Sequence, residues 1–438
     1  MRVSILDFLI GLDLVGAIIL TSLNIISPLG AAVYAFITSV LLIWSVIKGD
    51  KGRITYTSAL LFYTMAIQFG FALPYLFFGR ETFHSYTDYT LRFMQSPYLS
   101  KAIMLGVIAV ASMREGVLFS RRNSIFLEDI TREYGTDEKT SNRLYVASIV
   151  LLLAVLVFFA YNILTGGMRL VSTYEVFRQS SAYNSSIYSY ILILFYVGTI
   201  YLASAGTVKT HKLGWGIWLL LVLLFALNGN KGEFMYAMLA VVGMKGIEGQ
   251  KITGKMLLMF ALVLFLIIPG ITSLRNIGII GNLRNAQLDV FDAFGEMGMQ
   301  IRTSVYVLQD IGDGKYGYLW GRSYWQPIFN IITPFLSHTQ ATAVIREMYP
   351  GHGFSQIIES YLNFHIIGVF AFFFIIGLLF GREEIRVRNK NQLAYFGTIV
   401  CIFINATRNY FAFVPGQIII VSLLYLVITK TKVSHRAV

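Results

Sequence analysis

The stretch GHGFSQIIESYLNF, residues 351–364, decides the fold, because it joins the longest polar interval of the chain to an apolar segment. The polar interval covers residues 275–365, and the apolar segment that follows covers residues 366–380. Outside this interval, the chain consists largely of apolar runs separated by short polar connections. We therefore expect the polar interval to lie on the outer face of a membrane and to carry most of the functional side chains.

The composition of the chain is that of a membrane protein. Of its 438 residues, 56% are hydrophobic and 13% are charged, and the mean hydropathy is +0.65. Soluble proteins carry about 25% charged residues. The apolar runs are long enough to cross the roughly 30 Å hydrocarbon core of a bilayer. We predict an all-α polytopic protein in which residues 1–438 form a single integral membrane domain.

About twelve membrane spans are predicted, with one large outer loop, residues 275–365, that contains short helices. The first apolar run is interrupted by Asp7 and Asp13 and lacks a clear cleavage site, so we interpret it as a retained span rather than a signal peptide. The predicted spans are residues 5–25, 28–47, 54–78, 99–119, 144–164, 188–205, 214–228, 234–246, 256–274, 366–380, 393–413 and 417–429.

Charge placement gives the orientation. If the N-terminus is cytoplasmic, every cytoplasmic connection is rich in Lys or Arg, as the positive-inside tendency requires, and both termini are cytoplasmic. This arrangement accounts for much of the net charge of +12, so nucleic acid is not an expected partner. The single cysteine, Cys401, excludes an intrachain disulfide. Motifs for a metal site or a nucleotide site are absent, and we expect neither a metal nor a cofactor.

Several Lys and Arg residues fall on the predicted outer side, where the positive-inside tendency should deplete them. Arginine matches phosphate oxygens with two parallel hydrogen bonds, so a converging set suits a lipid pyrophosphate. The alternative is that each cation reaches the lipid headgroups at the membrane surface. An arginine at mid-membrane depth costs about 2.5–3.5 kcal/mol on insertion scales, so Arg408, near the outer end of a span, is the sharpest candidate. The outer cations include Arg169, Arg178, Lys231, Arg275, Arg284, Arg302, Arg322, Arg346 and Arg408.

Three of these cations, in two segments, have a simple structural interpretation as well as a functional one. Lys231 lies in a turn between two short spans, and it is either a hairpin tip or a cation held over a cavity. Arg169 and Arg178 lie in an aromatic, amphipathic segment with Glu175 between them. That segment is either an interfacial helix or part of the path of an acceptor.

The quoted stretch supplies the candidate bases. If residues 354–364 are helical, Ser355, Glu359 and Asn363 fall on one face at spacings of four residues. A carboxylate near the mouth of a span can act as a general base, which makes Glu359 the first candidate and His352 the second. The alternatives are that Glu359 pairs with a loop arginine and that His352 is structural.

The quoted stretch resembles a motif of the repeat-unit polymerases of bacterial O-antigens and capsules, which are called the Wzy type. The large loop, the turn at residues 229–233 and the late Arg408 resemble the same family, and the spacing from Arg284 to Gly295 matches a pattern found in some members. The resemblance is most specific between residues 316 and 380. Its residues are Gly351, Gly353, Phe354, Ser355, Ile357, Glu359, Tyr361, Asn363 and Phe364 in the quoted stretch and Gly368 in the apolar segment that follows.

The resemblance implies a GT-C-like membrane glycosyltransferase in the bacterial cytoplasmic membrane. It would join repeat units carried on undecaprenyl pyrophosphate at the outer face of the bilayer, with a chain-length regulator as a further partner. Arg284, Arg408 and Arg322 would bind the pyrophosphate, supported by Arg275 and Lys231, and Glu359 would be the base. The aromatic residues expected to stack on sugar rings are Tyr316, Tyr318, Trp320, Tyr324 and Trp325.

Two other functions remain open from the sequence. An O-antigen ligase has a similar layout and donor but a different acceptor. A lipid-linked oligosaccharide flippase, or another transporter, would need cations lining a path through many spans. In this chain the isolated charges gather at the outer side, apart from Arg114 and Glu115 near the inner end of the fourth span.

Overall fold

The computed structural model is helical throughout the part of the chain it describes. That part comprises residues 5–83, 86–122, 138–185, 187–207, 210–230, 232–253, 295, 297–333 and 354–430. The all-α fold class expected from the sequence is therefore confirmed for these residues, which contain no β-strand.

Fourteen α-helices longer than six residues lie in the described ranges. They are α1 (Ile5–Leu23), α2 (Pro28–Gly49), α3 (Tyr56–Phe69), α4 (Ala72–Phe78), α5 (Leu99–Arg121), α6 (Glu138–Leu164), α7 (Tyr188–Ala205), α8 (Lys212–Leu227), α9 (Gly232–Ile247), α10 (Ile301–Gly312), α11 (Arg322–Ile332), α12 (Gln356–Arg386), α13 (Lys390–Ala406) and α14 (Val414–Lys430). Shorter helical turns occupy Arg80–Thr82, Asp88–Leu91, Arg92–Gln95, Tyr174–Gln179, Ser181–Asn184 and Phe411–Phe413.

Seven of the described helices are long and apolar enough to cross a membrane, or eight if α3 and α4, bent by 48°, form one broken span. The predicted seventh and eighth spans are short, as expected, with 16 residues each in α8 and α9. The predicted span at residues 256–274 lies outside the described residues. The protein is thus a multi-pass membrane protein, and the number twelve stays a prediction.

The predicted eleventh span, residues 393–413, extends too far at its C-terminal end. Helix α13 ends at Ala406 instead, and Arg408 lies in the turn that follows. The reason is local hydrogen bonding by polar side chains. The Thr407 hydroxyl donates to the carbonyl of Phe403 at 3.0 Å, and the Asn409 amide donates to the carbonyl of Asn405 at 3.0 Å. These bonds satisfy the last carbonyls of the helix and end it.

The centre of the molecule is the pair α5 and α12, which pack against each other along their length. Their backbones meet at glycines. Gly116 of α5 faces the carbonyl of Phe374, and Gly377 of α12 faces the carbonyl of Met113, with no room for a Cβ atom at either glycine. Small residues at such crossings allow helices to approach closely without help from the hydrophobic effect, which is weak between helices in lipid.

A second group of helices packs beside this pair. Helix α7 contacts α6, α9 and α13, while α3 contacts α5, α9 and α13. The Tyr56 hydroxyl of α3 donates to the carbonyl of Leu393 at 2.8 Å, and the Gln68 amide donates to the carbonyl of Ala102 at 2.9 Å. Helix α3 therefore joins the two groups.

Buried charges hold α2, α5 and α12 together at the end of the bundle that contains Glu384. Arg121 of α5 bonds both to Asp50, at 2.6 Å, and to Glu384 of α12, and both carboxylates are fully buried. Glu384 also accepts from the backbone N–H of Thr57 at 2.7 Å. Arg114, which the sequence left isolated, lies 3.7 Å from Asp50 and donates to Ser45. We call Asp50, Arg114, Arg121 and Glu384 the ion cluster.

The opposite end of the bundle contains the described part of the large loop. The loop contains short helices, as expected, but α10 is not solvated, because Ile301, Val305 and Leu308 are buried against the bundle. Helix α11 is more open, and Trp325 and Ile332 on its surface are 54% and 72% exposed. The large loop is therefore partly an element of the core.

Helix α12 is broken by an elbow near its start. Phe364 and His365 have non-helical backbone angles, and His365 has φ 59° and ψ −153°. Residues 356–363 form a short helix, which we call the Glu359 segment, and residues 366–386 form the long helix. Gly368 of the long helix lies against the carbonyl of Ser360, where a Cβ atom would collide. The close approach explains why a glycine occupies this position.

Candidate active site

Glu359 is fully buried at the end of the bundle opposite the ion cluster. Its Oε2 atom accepts hydrogen bonds from the backbone N–H of Phe411 at 2.9 Å and from the Gln356 amide at 3.2 Å. Its Oε1 atom has no hydrogen-bond partner in the described part of the chain. A buried carboxylate with one unsatisfied oxygen is costly for stability, which makes it a candidate for chemistry.

Neighbouring polar side chains fix the position of this carboxylate. The Asn363 amide donates to the carbonyl of Glu359 at 2.8 Å and to the Ser323 hydroxyl at 2.7 Å. The hydroxyls of Ser360 and Tyr324 lie 2.8 Å apart. The backbone N–H of Glu359 donates to the carbonyl of Ser355. The helix is shorter than the predicted residues 354–364: it begins at Gln356, so Glu359 and Asn363 share a face, whereas Ser355 precedes the helix as its N-cap.

The alternative that Glu359 pairs with a loop arginine is not observed among the described residues. The groups that act on its carboxylate are the Gln356 amide, the backbone N–H of Phe411 and the Ser323 side chain, and no described arginine forms an ion pair with it. Neutral donors stabilise a carboxylate less than a guanidinium does. The carboxylate therefore keeps more of its basicity than one in an ion pair with arginine.

The Glu359 segment is bonded to the turn that carries Arg408. The Gln356 amide donates to the carbonyl of Asn409 at 3.1 Å, in addition to its bond with Glu359. Together with the bond from the N–H of Phe411, this contact fixes the end of the turn, just after Arg408. The candidate base and the candidate cation thus belong to one hydrogen-bonded unit.

Arg408 is half-buried, and its charge acts on three groups from other helices. These are the carboxylate of Glu233 and the phenols of Tyr236 and Tyr63. The rings of Tyr63 and Tyr236 meet edge to face with their centroids 5.8 Å apart. Polar groups of α3 and α9 therefore lie within electrostatic range of the Arg408 guanidinium.

The turn between α8 and α9 is folded inside the protein. Asn228 accepts from the Ser172 hydroxyl at 2.7 Å, and Asn230 donates to the Tyr188 hydroxyl at 3.0 Å. Asn228 and Asn230 are 1% and 4% exposed. The turn is therefore not a solvated hairpin tip. Lys231 itself lies outside the described residues.

The predicted aromatic residues lie in two different settings. Tyr324 is packed inside, since its ring stacks on Phe372 at 5.4 Å and its hydroxyl contacts Ser360. Trp320 and Trp325 are 74% and 54% exposed. Tyr316 and Tyr318 are half-buried. The exposed rings are available to a ligand, whereas Tyr324 holds the Glu359 segment.

The remaining predicted cations are less closely associated with Glu359. Arg322 is exposed and donates to the side chain of Gln326 at 3.3 Å. Arg169 and Arg178 are exposed, and Arg178 lies over the ring of Tyr174 at 5.8 Å. Arg169 lines a surface cavity of about 360 Å³. Arg275, Arg284 and His352 lie outside the described residues, so their roles stay predictions.

Sequence reasoning missed several residues that complete the site. Gln356 bonds to Glu359, Ser323 bonds to Asn363, and the charge of Arg408 acts on Glu233, Tyr63 and Tyr236. The spacing of three residues from Gln356 to Glu359 was a usable signal, because side chains three apart on a helix are neighbours. Nothing in the sequence brings α3 and α9 to Arg408. Among the described residues, no group of three or more His, Cys, Asp and Glu side chains is arranged to hold a metal ion.

Comparison with known proteins identifies the family. The sequence profile described as O-antigen polysaccharide polymerase Wzy matches residues 3–434. The chain belongs to the Wzy family. Protein CapE of Staphylococcus aureus is 26% identical over 393 residues, which cover 88% of this chain and 86% of that protein. No solved structure matches the chain. As a Wzy protein it is a multi-pass membrane protein of polysaccharide repeat-unit polymerisation, with lipid-linked glycans as substrates.

Proposed function

We propose that this Wzy protein is a metal-independent glycosyltransferase that transfers a growing glycan from undecaprenyl pyrophosphate to the next lipid-linked repeat unit. The observation that carries the proposal is the bond between Glu359 and the turn of Arg408, through the N–H of Phe411. This bond places a buried carboxylate and a cation in one unit. The proposal puts the Glu359 end of the bundle at the outer face and both termini in the cytoplasm.

Glu359 supplies the base in this scheme. Its carboxylate takes the proton from the acceptor hydroxyl as the hydroxyl oxygen attacks the anomeric carbon of the donor sugar. The bond from that carbon to the pyrophosphate oxygen breaks, and its electron pair leaves with the pyrophosphate. His352 is the second candidate for the base.

Arginine side chains hold the leaving group. Arg408 stabilises the negative charge that develops on the pyrophosphate, together with Arg284 and Arg322 and with Arg275 and Lys231 behind them. A fixed guanidinium is effective here because it is already oriented before the charge develops. Exposed aromatic rings of the large loop hold the sugars.

The structure offers Glu233 as an alternative candidate for the base. It is half-buried, so a substrate reaches it more easily than the fully buried Glu359, and the charge of Arg408 acts on it. The variants Glu359→Gln and Glu233→Gln separate the two. The base is the residue whose loss stops polymerisation while the variant still binds lipid-linked substrate.

The first experiment is size separation of lipid-linked glycans from a deletion strain. Single repeat units on the outer-leaflet carrier are the result expected for a polymerase. Full-length polymer left on the carrier would mean a ligase, and single units on the cytoplasmic leaflet would mean a flippase. Either result would overturn the proposal.

The site is tested by complementing the deletion strain with variants of the protein. The two variants are Arg408→Ala and Arg284→Ala. Both are expected to abolish polymer while the protein remains in the membrane, because the leaving group loses its counter-charge. Arg386→Gln is a suitable control, since Arg386 is an exposed arginine that pairs with Glu383 at 2.9 Å on the surface. Normal chain lengths with Arg408→Ala and Arg284→Ala would overturn the site assignment.

A further inference from the structure

An aromatic platform lies beside the Glu359 segment, on the side of the elbow. It consists of the rings of Tyr318, Trp320 and His365, backed by the buried Tyr361. The centroid of the Tyr318 ring is 6.2 Å from that of Trp320 and 5.8 Å from that of His365. Tyr361 lies 4.7 Å from His365. A backbone bond of 2.9 Å from Leu319 N–H to the carbonyl of Leu362 holds the loop in place.

The backbone is strained at two of these residues. His365 and Trp320 have φ of 59° and 49°, and the other non-glycine residues with positive φ among those described are Asn24 and Lys51. Asparagine tolerates such angles, whereas a bulky side chain does so at a cost. The combination of φ 59° and ψ −153° at His365 is essentially restricted to glycine. Both strained residues carry exposed rings. Strained residues of this kind cluster at active sites and ligand-binding sites.

A cation lies against the same platform. The ammonium of Lys101 is 5.2 Å from the centre of the Tyr361 ring and acts electrostatically on His365. Lys101 is half-buried, and no carboxylate among the described residues forms an ion pair with it. It also lies in the first turn of α5, where the helix dipole disfavours a positive charge. Neither helix stability nor an ion pair with a described carboxylate explains its position.

We propose that Lys101, His365, Tyr318 and Trp320 form a subsite for an acidic sugar of the repeat unit. The flat rings contact the apolar face of a sugar, and the ammonium pairs with its carboxylate. A single lysine suits one carboxylate, whereas a pyrophosphate calls for several guanidinium groups. This inference rests on the proposed function, because it takes the substrate to be a lipid-linked glycan.

The first test is the sugar composition of the polymer made by cells that carry this protein. Mass spectrometry after methanolysis is expected to find a uronic acid in the repeat unit. A polymer of neutral sugars alone would overturn the inference and would leave the polymerase function intact. The two proposals therefore fail in different ways.

The second test is direct binding to the purified protein in nanodiscs, measured by saturation-transfer NMR. Methyl glucuronoside is expected to bind at least tenfold more tightly than methyl glucoside, and Lys101→Gln is expected to remove the difference. Lys315→Gln is a matched control, because Lys315 lies 5.1 Å from the Tyr316 ring but pairs with Asp310. Equal binding of the two glycosides by the wild type would overturn the inference. Displacement by inorganic pyrophosphate that depends on Lys101 would assign the site to the carrier instead and would also overturn it.

Discussion

The carboxylate of Glu359 accepts a hydrogen bond of 2.9 Å from the backbone N–H of Phe411, three residues beyond Arg408. The two residues belong to different helical segments and are 52 positions apart in the chain. The bond fixes the position of the carboxylate relative to the Arg408 turn. A displacement of either segment would therefore move both groups of the candidate site.

Replacing Glu359 with glutamine removes the base and keeps the shape of the side chain. The glutamine oxygen can still accept from the N–H of Phe411, so we expect the protein to fold. General-base catalysis contributes typically 10²–10⁴-fold to a rate, and we expect polymerisation to fall by about that factor. Glu383→Gln, on the exposed part of the same helix, is the control. A polymerisation rate within threefold of wild type, measured with lipid-linked substrate, would rule out Glu359 as the base.

Replacing Glu384 with glutamine tests the ion cluster. Glu384 is buried against Arg121, and its loss leaves that arginine with an incomplete set of partners. Breaking a buried ion pair costs about 3–5 kcal/mol, so we expect a clear drop in the thermal midpoint of the detergent-solubilised protein. The neighbouring Glu383 forms a surface pair, and Glu383→Gln should change stability by less than about 1 kcal/mol. Equal midpoints for the two variants would contradict a stabilising role of the cluster.

Asp50 makes the stability of the protein depend on pH. Burial alone would raise the pKa of Asp50, but Arg121 and Arg114 hold this pKa below its ordinary value. The stabilisation is therefore present at neutral pH and is lost as the pH falls below the ordinary aspartate pKa and through the lowered one. We expect the thermal midpoint to fall in acid, and Asp50→Asn to remove part of that slope. An unchanged slope in the variant would mean that other groups set the acid response.

Replacing His365 with glycine should relax the elbow. The observed backbone angles are natural for glycine, and strain of this kind costs about 1–3 kcal/mol. We expect His365→Gly to match or exceed the wild type in thermal midpoint and to make shorter polymer. A stable variant with normal polymer would show that the imidazole serves no function in the subsite.

Much of the fold follows from apolar runs and turn residues. The limits of the apolar runs predicted the start of α2 at Pro28 and the bounds of α7 at Tyr188–Ala205. The end of α13 did not follow, because side-chain bonds from Thr407 and Asn409 stop the helix at a short polar stretch inside the predicted span. A hydropathy value is an average over a window of residues, so it does not detect side-chain hydrogen bonds that end a helix.

The candidate site was predictable only where its residues are near in sequence. The helical spacing predicted Ser355, Glu359 and Asn363 on one face, and the cost of an arginine within an apolar span pointed to Arg408. The partners of Arg408 on α3 and α9 were not predictable, because contacts between distant segments depend on how the helices pack. His365 was missed for a different reason, since its signal is a backbone angle, and a sequence does not display one.

The ion cluster also bears on how the chain is assembled during synthesis. Arg121 and its partner Glu384 are 263 residues apart, so α5 is made long before α12. At 5–20 residues per second, the wait is roughly 13–53 s. During that time Arg121 has Asp50 as its acidic partner but not Glu384. Until the last helices arrive, Arg121 therefore lacks one of the two buried carboxylates that it pairs with in the folded protein.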